Sequence, residues 1–351
     1  MKNKKVVLGM SGGVDSSVAA ILLKNQGYDV IGVFMRNWAD DGVCTATEDY
    51  MDVVKVASQL GIKYFTVNFE EEYRNQVFSY FLNEYKKGRT PNPDVMCNTE
   101  IKFKAFLNYA LNFDCDCIAM GHYARTKNID GKTYLCRGLD NNKDQSYFLS
   151  RVTEDALKKT LFPIGELQKD QVRKIAKDYG LSTALKKDST GICFIGERDF
   201  NKFLDQFLFT KPGKIVDTQG NVLGEHSGLI HYTIGQRRGM GIGGKGNGEP
   251  FFVADKDLKN NLLIVAQGEK NPALYKKVFQ VEDLFWISGK PHFPLKMTVK
   301  IRYRAKDEEA LLEENEGKYF VKLKNPLKGV TPGQVAVFYN DEICLGSGII
   351  K

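Results

Sequence analysis

Short apolar runs alternate with amphipathic segments through the first two thirds of the chain. The runs at 6–8, 28–35, 62–67 and 117–120 have the length and composition of buried strands. The segments between them repeat apolar residues every three or four positions, which is typical of helices that cover a sheet. In the first three predicted helices these positions are Val18, Ile21, Leu22 and Leu23, then Val53, Val54, Ala57 and Leu60, then Tyr73, Val77, Phe81 and Tyr85. This order of elements predicts an α/β fold with a parallel sheet covered on both faces.

The pattern changes after Lys211-Pro212-Gly213, and from Ala273 onward apolar and polar residues alternate with period two. Residues 215–217 and 221–223 flank a turn and predict a hairpin. Further on, 297–304, 319–323, 335–339 and 343–349 read as short strands, which together predict a small antiparallel β-barrel. We therefore expect an α/β catalytic domain over 1–210, a central β-rich domain over 211–272 and a C-terminal β-barrel over 273–351.

Composition narrows the class of protein only a little. The chain has 351 residues, and no apolar run approaches the roughly 20 residues that span a bilayer. The basic start, Met1 to Lys5, is followed by a strand rather than a cleavage-site pattern, so we expect no membrane insertion and a cytoplasmic location. The seven cysteines are irregularly spaced, which argues against a disulfide framework. The net charge of +7 weakly favours an anionic partner.

The most informative stretch is the loop at 11–16, which reads SGGVDS between the first strand and the first helix. Gly12 and Gly13 let the backbone approach a ligand closely, and free N–H groups at a helix start bind phosphate. Ser11, Ser16 and Ser17 add hydroxyl donors. No Lys lies between Lys5 and Lys24, so this is not the Walker A loop. The alternative is an ordinary Gly/Ser turn.

Ligands of a parallel sheet bind beyond the carboxyl ends of its strands. Gly9, Met10 and Met35 lie at such ends and are expected to meet one nucleotide, with core packing as the alternative for Met35. His122 follows the strand at 117–120 at the same edge. It is a ligand, a base or a hydrogen-bonded structural histidine.

Two cysteines lie in stretches with unusual backbone signals. Pro91 and Pro93 predict an extended loop, with Asn98 or Thr99 capping the helix that follows. Cys97 would then be exposed at a helix N-terminus, where a thiol pKa falls and the thiolate is favoured. Asp94 could accept its proton.

Cys193 lies between Gly191 and Gly196, where the backbone can approach a ligand closely. Cys115 and Cys117 form C-x-C without a second pair at metal-ligand spacing, so we interpret them as packing residues.

Basic side chains concentrate in two segments of the β-rich part. Residues 226–248 hold no acidic residue but carry Arg237, Arg238 and Lys245, which suits a phosphodiester backbone. A mobile surface loop is the alternative. Lys300, Arg302 and Arg304 alternate with apolar residues and predict an outward basic stripe, either a solvated face or an RNA contact.

Four motifs together resemble the tRNA-specific 2-thiouridylase family of the ATP pyrophosphatase (PP-loop) superfamily. They are GMSGGVDS at 9–16, NPDVMCN at 92–98, STGICFIGERDF at 189–200 and IGQRRG at 234–239. The resemblance implies a PP-loop domain related to the adenine-nucleotide alpha hydrolases, and ATP-dependent thiolation of the wobble uridine of tRNA. The C2 oxygen is adenylated, sulfur arrives from a protein persulfide, and AMP and pyrophosphate are released.

The resemblance also implies residue roles. Cys193 carries the persulfide, Cys97 is the nucleophile that attacks it and leaves a transient Cys97–Cys193 disulfide, and Asp94 transfers a proton. One loop, with Gly191 and Gly196 as hinges, is expected to move. The implied ATP site comprises Gly9, Met10, Ser11, Gly12, Gly13, Val14, Asp15, Ser16, Met35 and Gly121. The implied substrate contacts are Asp94, Val95, Met96 and Cys97 around the base, and Lys143, Asp144, Gln145, Arg302 and Tyr303 elsewhere on tRNA.

The implied cofactors are ATP and Mg²⁺, with Asp15 either touching the metal or only shaping the loop. The implied partners are tRNA and a sulfur-donor protein, which is a sulfur-relay protein or a cysteine desulfurase. Three other classes stay open: an amide-forming ligase of the same superfamily, a cluster-dependent tRNA thiolase, and a non-catalytic ATP-binding RNA-binding module. The first needs an ammonia source and the second a C-x-x-C, and neither signal is present.

Overall fold

The structure is a computed structural model that describes residues 4–38, 46–188 and 199–351. Cys44 and Cys193, together with Gly191 and Gly196, therefore lie outside the described residues. No helix within the described ranges is long and apolar enough to cross a bilayer.

The first part of the chain builds the predicted parallel sheet. Strand β1 (Lys5–Gly9) lies at its centre, with β2 (Asp29–Arg36) and β3 (Lys63–Asn68) on one side and β4 (Cys117–Met120) on the other. A hairpin of β5 (Ala124–Ile129) and β6 (Lys132–Arg137) follows outside this sheet, and β7 (Thr160–Leu161) then pairs with β4.

Helices cover both faces of the sheet, as predicted. The helices of this part are α1 (Val14–Asn25), α2 (Ala46–Leu60), α3 (residues 70–86), α4 (residues 93–111), α5 (Glu154–Lys158), α6 (Lys169–Asp178) and α7 (Phe200–Asp205). Val6 and Leu8 of β1 pack in one apolar cluster with α1, α2 and α6. Val7 points to the other face, into a cluster with α3 and α4. Helix α7 has Asp199 as its N-cap.

The central part forms a four-stranded sheet. Strands β8 (Gly213–Asp217) and β9 (Val222–His226) make the predicted hairpin, and β10 (Phe251–Asp257) and β11 (Leu262–Gln267) complete the sheet in the order β10-β11-β8-β9. The basic segment 226–248 is mostly turns, but Tyr232, Ile234 and Met240 pack into the core of this sheet. Arg237 and Arg238 stay exposed.

The last part is the predicted antiparallel barrel. Its strands are β12 (Tyr275–Trp286), β13 (Leu295–Lys300), β14 (Glu308–Asn315), β15 (Lys318–Lys328), β16 (Val335–Asn340) and β17 (Ile343–Ile350). They pair in the order β12-β15-β14-β13-β16-β17, and a β12–β17 pairing closes the ring.

Two features of the barrel differ from the sequence prediction. The strand expected over 297–304 ends at Lys300, and the chain bends through 301–304. The hairpin β5–β6 was not predicted, and it extends the barrel sheet through β6, where Cys136 pairs with Ile343. The α/β part and the barrel are therefore joined by backbone hydrogen bonds.

Candidate active site

The loop at 11–16 connects the carboxyl end of β1 to the first turn of α1 and is braced by its own hydroxyl groups. Gly13 is the N-cap residue of α1. The hydroxyl oxygen of Ser16 accepts a hydrogen bond from the Ser11 N–H at 3.2 Å, and the Ser16 hydroxyl donates to the Gly13 carbonyl at 3.2 Å. Gly12 has φ +73°, and a Cβ there would collide with the Asp49 backbone on α2. The loop is thus held in a conformation that glycine alone adopts easily.

The neighbouring strand ends approach this loop as the sequence predicts. A Cβ on Gly121 would lie 2.8 Å from the backbone nitrogen of Ser16, so a side chain there would collide with the first turn of α1. A Cβ on Gly9 would lie 3.0 Å from the Met35 Cε. Met10 differs, because its side chain is 1% exposed and points at Gly32, which leaves only its backbone at the loop.

Asp15, the acidic residue of the loop, is paired with a cation that sequence reasoning missed. The Lys169 ammonium at the start of α6 lies 2.7 and 2.8 Å from the two Asp15 carboxylate oxygens. The Tyr123 hydroxyl donates to the same carboxylate at 2.8 Å. Lys169 thus brings a positive charge to a phosphate-type loop that has none in its own sequence. The sequence offered one signal of such a residue, because a phosphate-binding loop without a lysine of its own needs a cation from elsewhere in the chain.

Lys169 also contacts Asp188, at 2.9 Å. Lys143 and Arg173 reach the same carboxylate, at 2.7 and 2.9 Å. Burial alone would raise the pKa of Asp188, but the hydrogen bonds from Lys143 and Lys169 outweigh it and lower that pKa to about 2. Asp188 is the last described residue before the stretch that contains Cys193, so the chain enters that stretch from the edge of the loop.

The segment that carries Cys97 is helical from Pro93 onward, which corrects two predictions. The Asn92 side chain caps α4 by accepting from the Val95 N–H at 3.3 Å. Proline is tolerated at the first helical position because its missing N–H would have no partner there. Cys97 therefore lies one turn inside the helix and is 3% exposed, within the apolar cluster that also contains Val7. The predicted extended loop is found over 89–92 but ends at Pro93, and the prediction of an exposed Cys97 is wrong.

Asn98 and Thr99, expected as alternative caps, instead hydrogen-bond back into the helix. The Asn98 Nδ2 donates to the Asp94 carbonyl at 2.8 Å, and the Thr99 hydroxyl donates to the Val95 carbonyl at 2.9 Å. Asp94 precedes Cys97 by three positions, so both lie on neighbouring parts of one helix face. Burial raises the pKa of the Asp94 carboxyl against the opposing effect of Lys102, which makes it a stronger base than an exposed aspartate.

His122 directly follows Gly121 at the loop and is 8% exposed. Its ring contacts Phe103 and Phe162, with centroid distances of 5.8 and 6.3 Å. Its Nδ1 is buried without a hydrogen-bond partner in the described part of the chain, so the predicted hydrogen-bonded structural histidine is not found at that atom. Burial, with a contribution from Lys102, lowers the pKa of His122 well below its ordinary value and keeps the ring neutral.

Several of the residues implied in tRNA contact line one cavity between the α/β part and the barrel. This cavity has a volume of about 370 Å³ and is lined by Asn141, Asn142, Lys143, Asp144, Lys300, Tyr303, Arg304 and Ala305. The Tyr303 hydroxyl donates to the Lys143 carbonyl at 3.4 Å, and its ring packs on Phe148 with centroids 4.4 Å apart. The cations of the cavity come from both parts of the molecule, as a site for an extended anion requires.

Three of the implied tRNA contacts, Asp144 among them, also hold the structure together. Asp144 is 4% exposed, and its carboxylate accepts from the Gly138 N–H and from Ser146. The Gln145 side-chain oxygen accepts from the Tyr123 N–H at 2.9 Å. Arg302 does not line the cavity with Lys300 and Arg304, so the predicted stripe of three is interrupted.

The Arg302 guanidinium instead joins the central sheet to the barrel. Its Nη2 donates to the Ile234 and Gly329 carbonyls, both at 2.9 Å. This arginine therefore fixes the IGQRRG segment against the barrel.

Comparison with known proteins covers the chain from end to end. Family models match residues 4–197 (tRNA methyl transferase HUP domain), 201–267 (tRNA methyl transferase PRC-barrel domain) and 276–350 (Aminomethyltransferase beta-barrel domain). The tRNA-specific 2-thiouridylase MnmA 1 of Geobacillus kaustophilus is 60% identical, over 100% of this chain and 96% of the relative. MnmA of Alkaliphilus oremlandii is 56% identical over 99% and 97%, and MnmA of Bacillus subtilis 55% over 99% and 95%. The chain belongs to the tRNA-specific 2-thiouridylase family.

These matches confirm the family that the motifs predict. The parallel sheet, the central sheet and the barrel confirm the predicted fold class. Among solved structures, a U34-tRNA thiolase NcsA from Methanococcus maripaludis with its 4Fe–4S cluster aligns at a TM-score of 0.38 and 22% identity, over 55% of this chain and 62% of that chain. A similarity this low supports no conclusion about function. The roles of Cys97, Cys193 and Asp94 stay predictions.

The loop suits a nucleoside triphosphate better than a metal ion alone. Gly121 packs directly on the first turn of α1, and the N–H groups at the start of that helix suit an anion. Within 4–38, 46–188 and 199–351, no group of three or more His, Cys, Asp or Glu side chains is arranged to hold a metal ion. A cation that accompanies the nucleotide would therefore take most of its ligands from the phosphates and from water.

Proposed function

We propose that this protein converts the wobble uridine of tRNA to 2-thiouridine in an ATP-dependent reaction. The observation that carries the proposal is the match to relatives named tRNA-specific 2-thiouridylase, at 55 to 60% identity over nearly the whole length of both chains. The phosphate-type loop at the carboxyl edge of the parallel sheet supports the use of ATP, because adenylation needs a site for the departing pyrophosphate.

The loop at 11–16 and the residues around it carry out the adenylation step. The C2 oxygen of uracil attacks the α-phosphate, the bond to the β-phosphate breaks, and pyrophosphate leaves. The backbone N–H groups at 11–16 and the Lys169 ammonium bind that pyrophosphate. Mg²⁺ would supply charge neutralisation when bound, with most of its ligands from the phosphates and water, since both Asp15 oxygens already contact the Lys169 ammonium.

Cys97 and Cys193 carry out the sulfur-transfer step. Asp94 accepts the thiol proton of Cys97, and the Cys97 thiolate attacks the inner sulfur of the persulfide on Cys193. A Cys97–Cys193 disulfide forms, and the outer sulfur leaves as hydrosulfide. The hydrosulfide attacks C2, and AMP departs with the former C2 oxygen. An external thiol must then reduce the disulfide, and a sulfur-relay protein or a cysteine desulfurase must reload Cys193.

The tRNA contacts of this proposal combine both parts of the molecule. Lys143, Lys300 and Arg304 in the shared cavity bind backbone phosphate, and Tyr303 offers a ring for base stacking. Arg237 and Arg238 extend the basic surface onto the central sheet.

Single-turnover sulfur transfer tests the proposal. The protein is loaded with labelled persulfide, mixed with ATP, Mg²⁺ and unmodified tRNA, and compared with Cys97→Ser, Cys193→Ser and the control Cys115→Ser, which alters a half-buried cysteine just after the C-terminal end of α4. We expect 2-thiouridine from the wild type and from Cys115→Ser, and no persulfide on Cys193→Ser. Thiolation by both Cys97→Ser and Cys193→Ser would overturn the cysteine mechanism, and AMP formation without thiolated tRNA would identify another adenylating enzyme.

A further inference from the structure

The Asn98 side chain carries a buried hydrogen-bond acceptor without a partner. Asn98 is 4% exposed, and its Nδ2 donates to the Asp94 carbonyl at 2.8 Å. That bond fixes the amide orientation, since the reverse orientation would set two oxygens against each other. The Oδ1 is then left buried, with no hydrogen-bond partner among residues 4–38, 46–188 and 199–351. An acceptor in this state is unfavourable in the free protein, and a ligand that donates to it removes the penalty.

Asn98 lies on the part of α4 where the proposed chemistry takes place. It follows Cys97 directly, and it follows Asp94 by four positions, so its side chain shares a helix face with the Asp94 carboxyl. This part of α4 is a π-helix, Cys97–Ala105, a form that is frequent at functional sites. The ring of Phe103, on the same π-helix, lies 5.8 Å from the His122 ring, which links this part of α4 to the strand end beside the phosphate loop.

We propose that the Asn98 Oδ1 accepts a hydrogen bond from N3–H of the target uracil and thereby selects uracil over cytosine. The proposal rests on the thiolation function proposed above. In uracil, N3 is bonded to C2, the carbon that receives sulfur, so a group beside the reacting cysteine is well placed to meet it. Cytosine has the same C2 carbonyl, but its N3 carries a lone pair and no hydrogen. Against cytosine, the Asn98 oxygen would face a second acceptor.

The contact acts on the free base, before adenylation. When the C2 oxygen attacks the α-phosphate, N3 releases its proton to solvent, because the neutral adenylated base has a C2=N3 double bond and no N3–H. The Asn98 oxygen therefore holds U34 in position for that attack and loses its donor once the base is activated. Removing the acceptor should lower selectivity and slow the positioning of U34.

Two tRNAs that differ only in U34 or C34 test this proposal. Binding and single-turnover thiolation are measured for the wild type, Asn98→Ala and Asn98→Ser. The serine hydroxyl can keep the bond to the Asp94 carbonyl but is too short to put an oxygen where Oδ1 lies. The control is Thr99→Ala, which removes the neighbouring side-chain bond to a helix carbonyl, of 2.9 Å, without touching an unpartnered atom.

We expect the wild type and Thr99→Ala to bind the U34 tRNA about tenfold more tightly than the C34 tRNA. Both Asn98 variants should bind the two tRNAs within about twofold and should thiolate U34 about tenfold more slowly, with unchanged ATP affinity. A retained preference for U34 in both variants would overturn the proposal, and so would a loss confined to ATP affinity, which would place an adenine amino group on Oδ1. Failure of the wild type to thiolate U34 would instead refute the proposed function, since the binding ratio is measured independently.

Discussion

At the scale of single residues, Lys169 makes the clearest prediction for ATP binding. Its side chain is 13% exposed and contacts both Asp15 and Asp188. Lys169→Gln should weaken ATP binding about tenfold or more, because a partly buried cation beside pyrophosphate is lost. The measurement is calorimetric titration with ATP and Mg²⁺. Lys174→Gln is the matched control, since Lys174 lies on the same helix, is exposed and pairs only with Asp178. Equal affinities for the two variants would limit Lys169 to a structural role.

Asp188 makes a prediction about pH. Its pKa of about 2 in the folded protein lies below the value of about 4 expected in the unfolded chain. Its carboxylate therefore stabilises the folded state above pH ~4, and that stabilisation disappears as the pH falls from about 4 toward 2.

Urea denaturation of wild type and Asp188→Asn at pH 7, 5 and 3 measures this effect. The wild type should be more stable by about 1–2 kcal/mol at pH 7 and pH 5, and the difference should shrink at pH 3. Asp178→Asn, which removes an exposed carboxylate from the same region, should show little difference at any pH. A pH-independent difference for Asp188→Asn would mean that charge does not stabilise this contact.

The functional residues that could be predicted are those that lie next to one another in the sequence and form a recognisable motif. The loop at 11–16 is an example, because glycines, serines and a helix start follow one another in the sequence. Lys169 could not be predicted in this way, since it lies 154 positions from Asp15 and only the fold brings the two together. The unpartnered Asn98 oxygen is also invisible in the sequence, where Asn98 reads equally well as a helix cap.

At the scale of elements, the repeating patterns predicted strands and helices well and predicted their ends poorly. Pro93 shows why, because proline is excluded from a helix interior but favoured at its first position, so the same residue indicates a loop or a helix start. The strand at 297–304 fails for another reason. Its alternation continues to Arg304, but Arg302 reaches the Ile234 carbonyl and the chain bends after Lys300. A local cap from Asn92 sets the start of the helix, and a tertiary contact of Arg302 accompanies the end of the strand.

At the scale of the whole molecule, the barrel and the α/β part share one hydrophobic core. Cys97 and Phe103 of α4 belong to the same apolar cluster as Val337 and Tyr339 of the barrel. The Tyr147 hydroxyl donates to the Val335 carbonyl at 2.8 Å across this boundary. Barrel residues therefore pack in the same core as the helix that carries Asp94 and Cys97, and the shape of the site depends on both parts.

Polar contacts hold the loop that leads into α4 against the barrel. The Gln334 amide donates to the Thr90 carbonyl at 2.8 Å, and Arg89 pairs with Glu282 at 2.6 Å. We therefore expect the α/β part and the barrel to unfold as one unit, in spite of the three segments that the sequence suggests.

The two tryptophans of the chain allow this to be tested directly. Trp38 contacts Phe78 in the α/β part, and Trp286 contacts Phe338 in the barrel. The variants Trp38→Phe and Trp286→Phe each leave one fluorescent reporter, and each reporter should show the same urea midpoint as the circular dichroism of its own variant.

Val337→Ala, placed in either single-tryptophan variant, should then lower the free energy of unfolding by about 2 kcal/mol, because it removes buried methyl groups from the shared core. The shift should be the same for Trp38 and for Trp286, although Val337 is a barrel residue. Val278→Ala, which makes the same change at a barrel valine that is 48% exposed, should leave both midpoints nearly unchanged. If Val337→Ala moved the Trp286 transition alone, the barrel would be an independent domain, and its support of the Cys97 helix would have to be abandoned.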